Sequence, residues 1–354
     1  MVTVKDVARE AEVSVATVSR TFSGAQFVRP EVRERVLAVA GILGYKPNAV
    51  ARSLRSENTY TLGLVVPNIM NPFFTAVARV VEDEARERGY SLVLGNTDEN
   101  PDKEARYLDV LLQKRIDGLI LSPARESSPH LREVERAGVP MVFLDRYVEG
   151  VDAPVIRADG KKAVDRLVAY LGGLGHEKLA IISGPPETVS GGERLKAFIE
   201  GAASCDVSVP EKYIRLGDFR RQSGKTAMGE LLGLKDPPTA VFAANNLMAL
   251  GALQMLSEAG VGVPEEISFA SFDDVSWFPL VSPPVTAVAQ PVEELGAATA
   301  RILPDMVEGK EQPHSVILEA ELVVRGSCAE PSGGATPGRK TGGPSRQGLL
   351  NGEE

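Results

Sequence analysis

From Thr61 onward, short apolar runs alternate with longer amphipathic stretches, and that alternation most narrows the folds open to the chain. The order is strand 62–66, helix 73–88, strand 91–95, helix 103–114, strand 118–121 and strand 139–144. Parallel strands need a crossover long enough to hold a helix, so this repeat predicts an α/β fold with helices on both faces of a parallel sheet. The pattern restarts with segments 163–171, 178–183, 192–203, 224–232, 240–243, 247–259 and 267–272. Two successive sets predict two lobes with a cleft between them.

Three short helices precede this core. Thr3 and Asp6 form a capping-box-like start for Val4, Val7, Ala8 and Ala11, which fall at helical spacing before a break at Glu12-Val13. Ser14 caps a second helix, which turns Val18 and Phe22 inward and leaves Val15, Ala16, Ser19 and Arg20 on its other face. Pro30, pre-set for a first helical turn, opens a third helix reaching Leu43. Two helices joined by about three residues and braced by a third make a helix-turn-helix, whose second helix enters the major groove of DNA. Asn48 to Arg55 is a further helix-forming stretch, too short to be stable alone. From about Ser327, Gly, Pro, Ser and charge dominate, which predicts a disordered tail over 327–354.

Charge supports a DNA-binding head. The chain carries −9 overall, yet residues 1–60 hold nine Lys/Arg against six acids, a net +3 on a body of −12. A weakly basic head on an acidic body suits local phosphate contact with little adhesion elsewhere. No apolar run approaches the roughly 18 residues of a membrane span, and the first residues lack a signal pattern, so a cytoplasmic protein is expected. Cys205 and Cys328 lie far apart and His130, His176 and His314 are scattered, so neither disulfide framework nor metal site is indicated. No cofactor is expected. Gly224-Lys225-Thr226 lacks the glycine a phosphate loop needs, since Phe219 stands there, and no nucleophile elbow or zinc spacing occurs, so the chain does not read as an enzyme.

The chain resembles the lactose/galactose repressor family over residues 2 to about 326. The head motifs are Val4-Lys5-Asp6-Val7-Ala8, Val13-Ser14-Val15-Ala16-Thr17-Val18-Ser19-Arg20 and Leu43-Gly44-Tyr45-Lys46-Pro47-Asn48-Ala49-Val50-Ala51-Arg52-Ser53-Leu54. In the core they are Gly63-Leu64-Val65-Val66-Pro67, Asn71-Pro72-Phe73-Phe74, Asp117-Gly118-Leu119-Ile120, Pro238-Thr239-Ala240-Val241-Phe242, Phe272-Asp273-Asp274 and Gln290-Pro291, before Glu321-Leu322-Val323-Val324-Arg325. The resemblance implies a head over 1–47, a hinge helix and linker over 48–60, and a periplasmic-binding-protein-like core over 61–326. It implies a first lobe of about 61–158 plus 293–320, a second of about 162–288, and crossovers near 158–162, 289–292 and 320–325. The expected function is a repressor that binds a pseudo-palindromic operator as a dimer, under control of a small effector. A transport-linked binding protein would fit the core equally well, but the head and the absent signal peptide disfavour it.

In the head, Arg20 can chelate guanine while Val15 and Ala16 pack on thymine methyl groups, and Ser14, Thr17 and Ser19 suit phosphate contacts. Leu54, beside Arg52 and Arg55, reads on its own as interdomain packing; the resemblance implies a minor-groove wedge, with Asn48, Ala51 and Arg52 on DNA beside it. Phe73, Phe74, Arg146, Ser190, Arg194, Phe219, Asn245, Asp273 and Gln290 match positions that line the family's effector cleft. Phe73 fits plain core as readily, and Trp277 either walls the cleft or packs in the core. Ala158 and Asn246 stand where relatives usually carry Asp, which predicts a less acidic cleft in which Arg146 and Arg194 face Asp273. A neutral sugar or nucleoside is the first expectation, and an anionic sugar derivative the second.

Overall fold

The computed structural model describes residues 2–22, 28–45, 58–125, 128–310 and 314–332. Helices α1 (Val4–Glu10), α2 (Val15–Phe22) and α3 (Pro30–Leu43) form the head around buried Val7, Ala8, Ala11, Val18, Val36 and Ala40. Its starts obey the local rules: the Asp6 carboxylate accepts the Thr3 N–H at 2.9 Å, and Ser14 Oγ accepts the Thr17 N–H at 3.1 Å. Glu12 turns the chain between α1 and α2 with φ at 55°.

Two six-stranded sheets make the core. The first has the order β11-β5-β4-β3-β1-β2, from β1 (Thr61–Val66), β2 (Ser91–Asn96), β3 (Gly118–Leu121), β4 (Met141–Leu144), β5 (Val155–Asp159) and β11 (Val316–Glu319). The second has the order β12-β10-β9-β8-β6-β7, from β6 (Leu179–Ser183), β7 (Ile214–Leu216), β8 (Ala240–Ala243), β9 (Ser268–Phe272), β10 (Thr286–Ala289) and β12 (Glu321–Val323). All pairings are parallel except that of β10 with β12. Strands β3, β4, β6, β8 and β9 are buried along their whole length, as parallel strands covered on both faces must be.

Helices α4 (Pro72–Glu87), α5 (Pro101–Gln113), α6 (Leu131–Arg136) and α11 (Val292–Val307) cover the first sheet. Helices α7 (Lys161–Gly173), α8 (Val189–Ser204), α9 (Arg221–Leu232) and α10 (Asn246–Ala259) cover the second. The chain passes between lobes from β5 to α7, from β10 to α11 and from β11 to β12.

One expectation needs correcting. Residues 327–332 are not tail but part of the second lobe. Ser327 is fully buried, its hydroxyl donates to the Phe269 carbonyl at 2.6 Å, and the Ala329 N–H donates to Ser268 Oγ at 3.0 Å. The polar composition misled because these residues satisfy their polar groups against strand β9 rather than in water.

Candidate functional site

The cleft is built by the turns that follow the carboxyl ends of the strands, where parallel α/β sheets place their ligand sites. Asn71 follows β1, Glu99 follows β2, and Asp145 and Arg146 follow β4. Across from them, Ser190 follows β6, Phe219 follows β7, Asn245 follows β8, Asp273 follows β9 and Gln290 follows β10. Capping fixes three of the helix starts. Asn71 Oδ1 accepts the Phe73 N–H at 3.0 Å, Thr188 Oγ1 the Gly191 N–H at 3.1 Å and Asn245 Oδ1 the Met248 N–H at 2.8 Å. Non-glycine residues with left-handed backbone gather here: Asp98, Glu99, Asp145, Phe219 and Asp273 have φ between 54° and 67°. Such conformations are disfavoured for L residues and concentrate where side chains must be aimed.

Arg146 and Arg194 organise the charges. Arg146 grips both oxygens of Glu99 at 2.7 and 2.9 Å, reaches Ser190 Oγ of the other lobe at 3.1 Å and lies over the Phe219 ring at 5.2 Å. Burial opposes its charge most strongly, but Glu99, Asp145 and Glu104 together hold the guanidinium above the usual arginine range. Arg194 donates to the Ala244 carbonyl at 2.8 Å, stacks on Phe272 at 3.7 Å and faces Asp145 at 3.8 Å. Burial pushes the Asp145 carboxyl up, against the pull of Arg194 and Arg146. Asp273 accepts from Gln290 at 2.6 Å and from Asn246 at 3.0 Å, and the Asn246 amide also bridges to Asn71 Oδ1 at 2.7 Å.

Phe73, Phe74, Arg146, Ser190, Arg194, Phe219, Asn245 and Asp273 thus line one central space, with Gln290 behind Asp273. Trp277 does not join them. Its ring meets Phe278 edge-on at 4.5 Å and lines a second-lobe groove with Leu250, Leu253 and Val281. Glu99 and Asp145 bring two further carboxylates into the cleft beside Asp273. Asp145 adjoins a residue already chosen and was within reach of sequence reasoning; Glu99 was not, since its partner Arg146 lies 47 positions away.

The central space measures about 20 Å³, room for about one water. Two larger chambers share walls with it, one through Asp145, Ser190 and Arg194 and the other through Phe73 and Asp273. One, of about 240 Å³, is lined by Arg157, Asp159, Lys161, Glu193, Arg194 and Phe272. The other, of about 330 Å³, is lined by Pro72, Phe73, Ala76, Asp273, Ser276 and Gln290. The lobes also meet through Arg157 with Glu193 at 2.6 Å and Arg220 with the Asp98 carbonyl at 2.9 Å. Opposed donors and acceptors beside aromatic rings suit a small ring compound bearing hydroxyl groups. Among the described residues no group of three or more His, Cys, Asp or Glu is placed to hold a metal ion, and no helix is long and apolar enough to cross a membrane.

In the head, Val18 and Thr21 turn inward, leaving Ala16 and Arg20 exposed and Val15 and Ser19 partly so. Ser14 and Thr17 bond each other at 2.9 Å. Asn48, Ala51, Arg52 and Leu54 lie outside the described residues.

Comparison with known proteins agrees with this division. Residues 3–48 match the family described as bacterial regulatory proteins, lacI family, and residues 168–328 match a periplasmic binding protein-like domain. The HTH-type transcriptional repressor CytR of Escherichia coli (strain K12) is 34% identical over 326 residues, covering 92% of this chain and 96% of that protein. The Lac repressor dimer bound to operator and the anti-inducer ONPF superposes with a TM-score of 0.82 at 27% identity, over 93% of this chain and 99% of that one. A complex of the transcriptional regulator CelR with cellobiose gives 0.70 at 32% identity, over 92% and 100%.

Proposed function

This chain belongs to the lacI family of bacterial regulatory proteins, and from that premise we propose that it is a transcriptional repressor whose grip on DNA is set by a small polar ligand between its lobes. The observation that carries this reading is the joining, in one chain, of an exposed helix-turn-helix face to a cleft where buried polar side chains converge from both lobes. Arg20, Ala16 and Val15 read base edges, while Ser14, Thr17 and Ser19 set the register on phosphates. The hinge residues Asn48, Ala51 and Arg52 hold DNA, and Leu54 wedges into its minor groove.

The active species is a dimer on a pseudo-palindromic operator, because one head reads only a few base pairs and a two-fold protein is mirrored in its site. Val93 and Leu94 on β2, with Leu280 and Val281 in the second lobe, expose apolar surface that a second copy can cover. The site of action is the cytoplasm, where operator DNA resides. The ligand is a neutral sugar or nucleoside, admitted by separation of the lobes because the central space as it stands holds about one water, with Phe74 and Phe219 on its apolar faces and Arg194, Asn245 and Asp273 on its hydroxyls. CytR is named a repressor and CelR was solved with cellobiose, which supports this class of function and ligand.

Selection of bound duplexes from a random DNA pool should return two half-sites related by a two-fold. Arg20→Ala should weaken the selected site by about 1–3 kcal/mol while sparing salt-dependent binding to other sequences. Thermal-shift screening of sugars and nucleosides should then yield a compound that also changes operator affinity. No enriched sequence, or a cleft ligand without effect on DNA binding, would overturn the reading.

A further inference from the structure

One side of the Arg146 guanidinium is already occupied by an anion from its own chain. Glu99 accepts from Nη1 and Nη2 in a two-pronged pair, Nη1 also donates to the Pro123 carbonyl at 3.3 Å, and Nε reaches Ser190 of the second lobe. Arg146 is only 4% exposed. A guanidinium offers a carboxylate of the protein the same planar fork that it offers a phosphate or carboxylate of a ligand.

The backbone is shaped to deliver Glu99. It and Asp98 are consecutive non-glycine residues in left-handed conformation, at 59° and 54°. The Glu99 N–H donates to the Pro67 carbonyl at 3.2 Å. The Asp98 carboxylate is held by Asn96 at 2.8 Å and by Lys103, and the Asp98 carbonyl by Arg220 of the second lobe. This loop is pinned on both sides of the cleft.

We propose that Glu99 is a specificity-determining residue, a built-in anion that holds the oxyanion position on Arg146 and closes the cleft to phosphorylated or carboxylated ligands. The proposal rests on the reading of the cleft as the effector site. An anionic ligand would have to displace Glu99 and leave its carboxylate without a partner, or crowd against Glu99, Asp145 and Asp273 together. A neutral polyhydroxylated ligand meets neither penalty, so discrimination comes from repulsion as well as fit.

The test uses the full chain, its Glu99→Ala variant and the double variant Glu99→Ala/Arg146→Met. Each is titrated with sodium formate and sodium phosphate, against sodium chloride at matched ionic strength, and followed by thermal melting. Glu99→Ala strips the carboxylate from Nη1 and Nη2 of the guanidinium, with Asp145 remaining 3.9 Å from Nε, and opens a space the size of the lost group, so both oxyanions should raise its melting temperature saturably. The parent and the double variant should respond no more than to chloride. If Glu99→Ala does not fold, Glu99→Ser opens the same space while keeping a hydroxyl for its neighbours, and the formate response should appear there. A parent stabilised by phosphate as much as the variant, or a folded variant that neither oxyanion moves, overturns the proposal. These titrations need no natural ligand, so their outcome stands apart from that of the sugar and nucleoside screen.

Discussion

Arg325 closes a two-pronged ion pair on Asp274, with its nitrogens 2.9 and 2.6 Å from the two carboxylate oxygens. Asp274 is the neighbour of Asp273 in the cleft. The Arg325 guanidinium also donates to the Val285 carbonyl at 2.7 Å, and its backbone N–H to Thr286 Oγ1 at 3.0 Å. Both charged side chains are mostly covered, so the pair is not one of the exposed bridges that contribute next to nothing. The last passage of the chain between lobes therefore ends in a clamp on the loop that carries a cleft-facing carboxylate.

The segment beyond that clamp gives the first prediction. Ending the chain after Gly326 removes Ser327, which accepts the Thr286 N–H at 2.8 Å, and removes the partner of Ser268 at Ala329. Each buried hydrogen bond contributes about 1 kcal/mol net, so the truncation should lose about 2–4 kcal/mol of stability. A chain ending after Ser332 keeps all these contacts and should match the parent. Urea denaturation of the two truncated chains decides, and equal midpoints would contradict the packing described.

His176 supplies a pH dependence. Its Nδ1 lies 2.9 Å from Thr239 Oγ1 and its Nε2 2.9 Å from both Ser268 Oγ and the Ala329 carbonyl. Burial holds the imidazole below its ordinary value, the Ala329 carbonyl pulling only partly the other way. As pH falls, the unfolded chain takes up the proton first. This contribution is thus complete above about pH 6.5 and is lost as pH drops through the depressed folded value. His176→Gln removes the titration, so its stability should fall less steeply than the parent's as pH drops below about 6.5. Parallel slopes in urea midpoints across that range would show that His176 does not titrate in this way.

Asp273→Ala separates the cleft from the head. The substitution takes away the acceptor of Gln290 and Asn246 together, and with it the acceptor proposed for a ligand hydroxyl. Loss of a buried acceptor costs a bound ligand about 1–3 kcal/mol. Calorimetry with the ligand found by screening should show that loss, with operator affinity in the absence of ligand unchanged. A variant that binds the ligand as the parent does would place the ligand elsewhere.

The head and the most apolar strands were legible in the sequence because their signals are local. Thr3 with Asp6, Ser14 and Pro30 are capping residues that act within one turn, and the fully apolar β3 and β8 stand out as runs. The pattern missed β5, where Arg157 and Asp159 interrupt the run at the cleft edge, and β7, which is three residues long. It missed α11 as well, a helix that carries Pro304 within it. The cleft was legible where a family motif marked it. Glu99 carried no such mark, since a pairing across 47 positions exists only once β2 and β4 lie in one sheet. Trp277 sits four residues past Asp273, yet the intervening turn carries it out of the cleft into the second-lobe groove.

Gly184 yields the final prediction, because it is the floor on which Phe219 rests. A β-carbon at Gly184 would come within 2.0 Å of the Phe219 ring, closer than any atoms can pack. The ring cannot simply swing aside. Phe219 has a left-handed backbone, its carbonyl accepts from the Asn245 amide at 3.2 Å, and Arg146 covers the ring. Gly184→Ala must therefore push the ring toward the central space, where about 20 Å³ remains, or spread the turn between β7 and α9. Forcing a methyl group into such a site costs about 1–3 kcal/mol of stability. The same displacement moves an aromatic wall of the cleft, so ligand affinity should fall while the head, built around its own core, keeps its operator affinity. Gly184→Ala with undiminished ligand affinity would show that Phe219 is not a wall of the site, and calorimetry alongside operator binding measures both quantities on one protein.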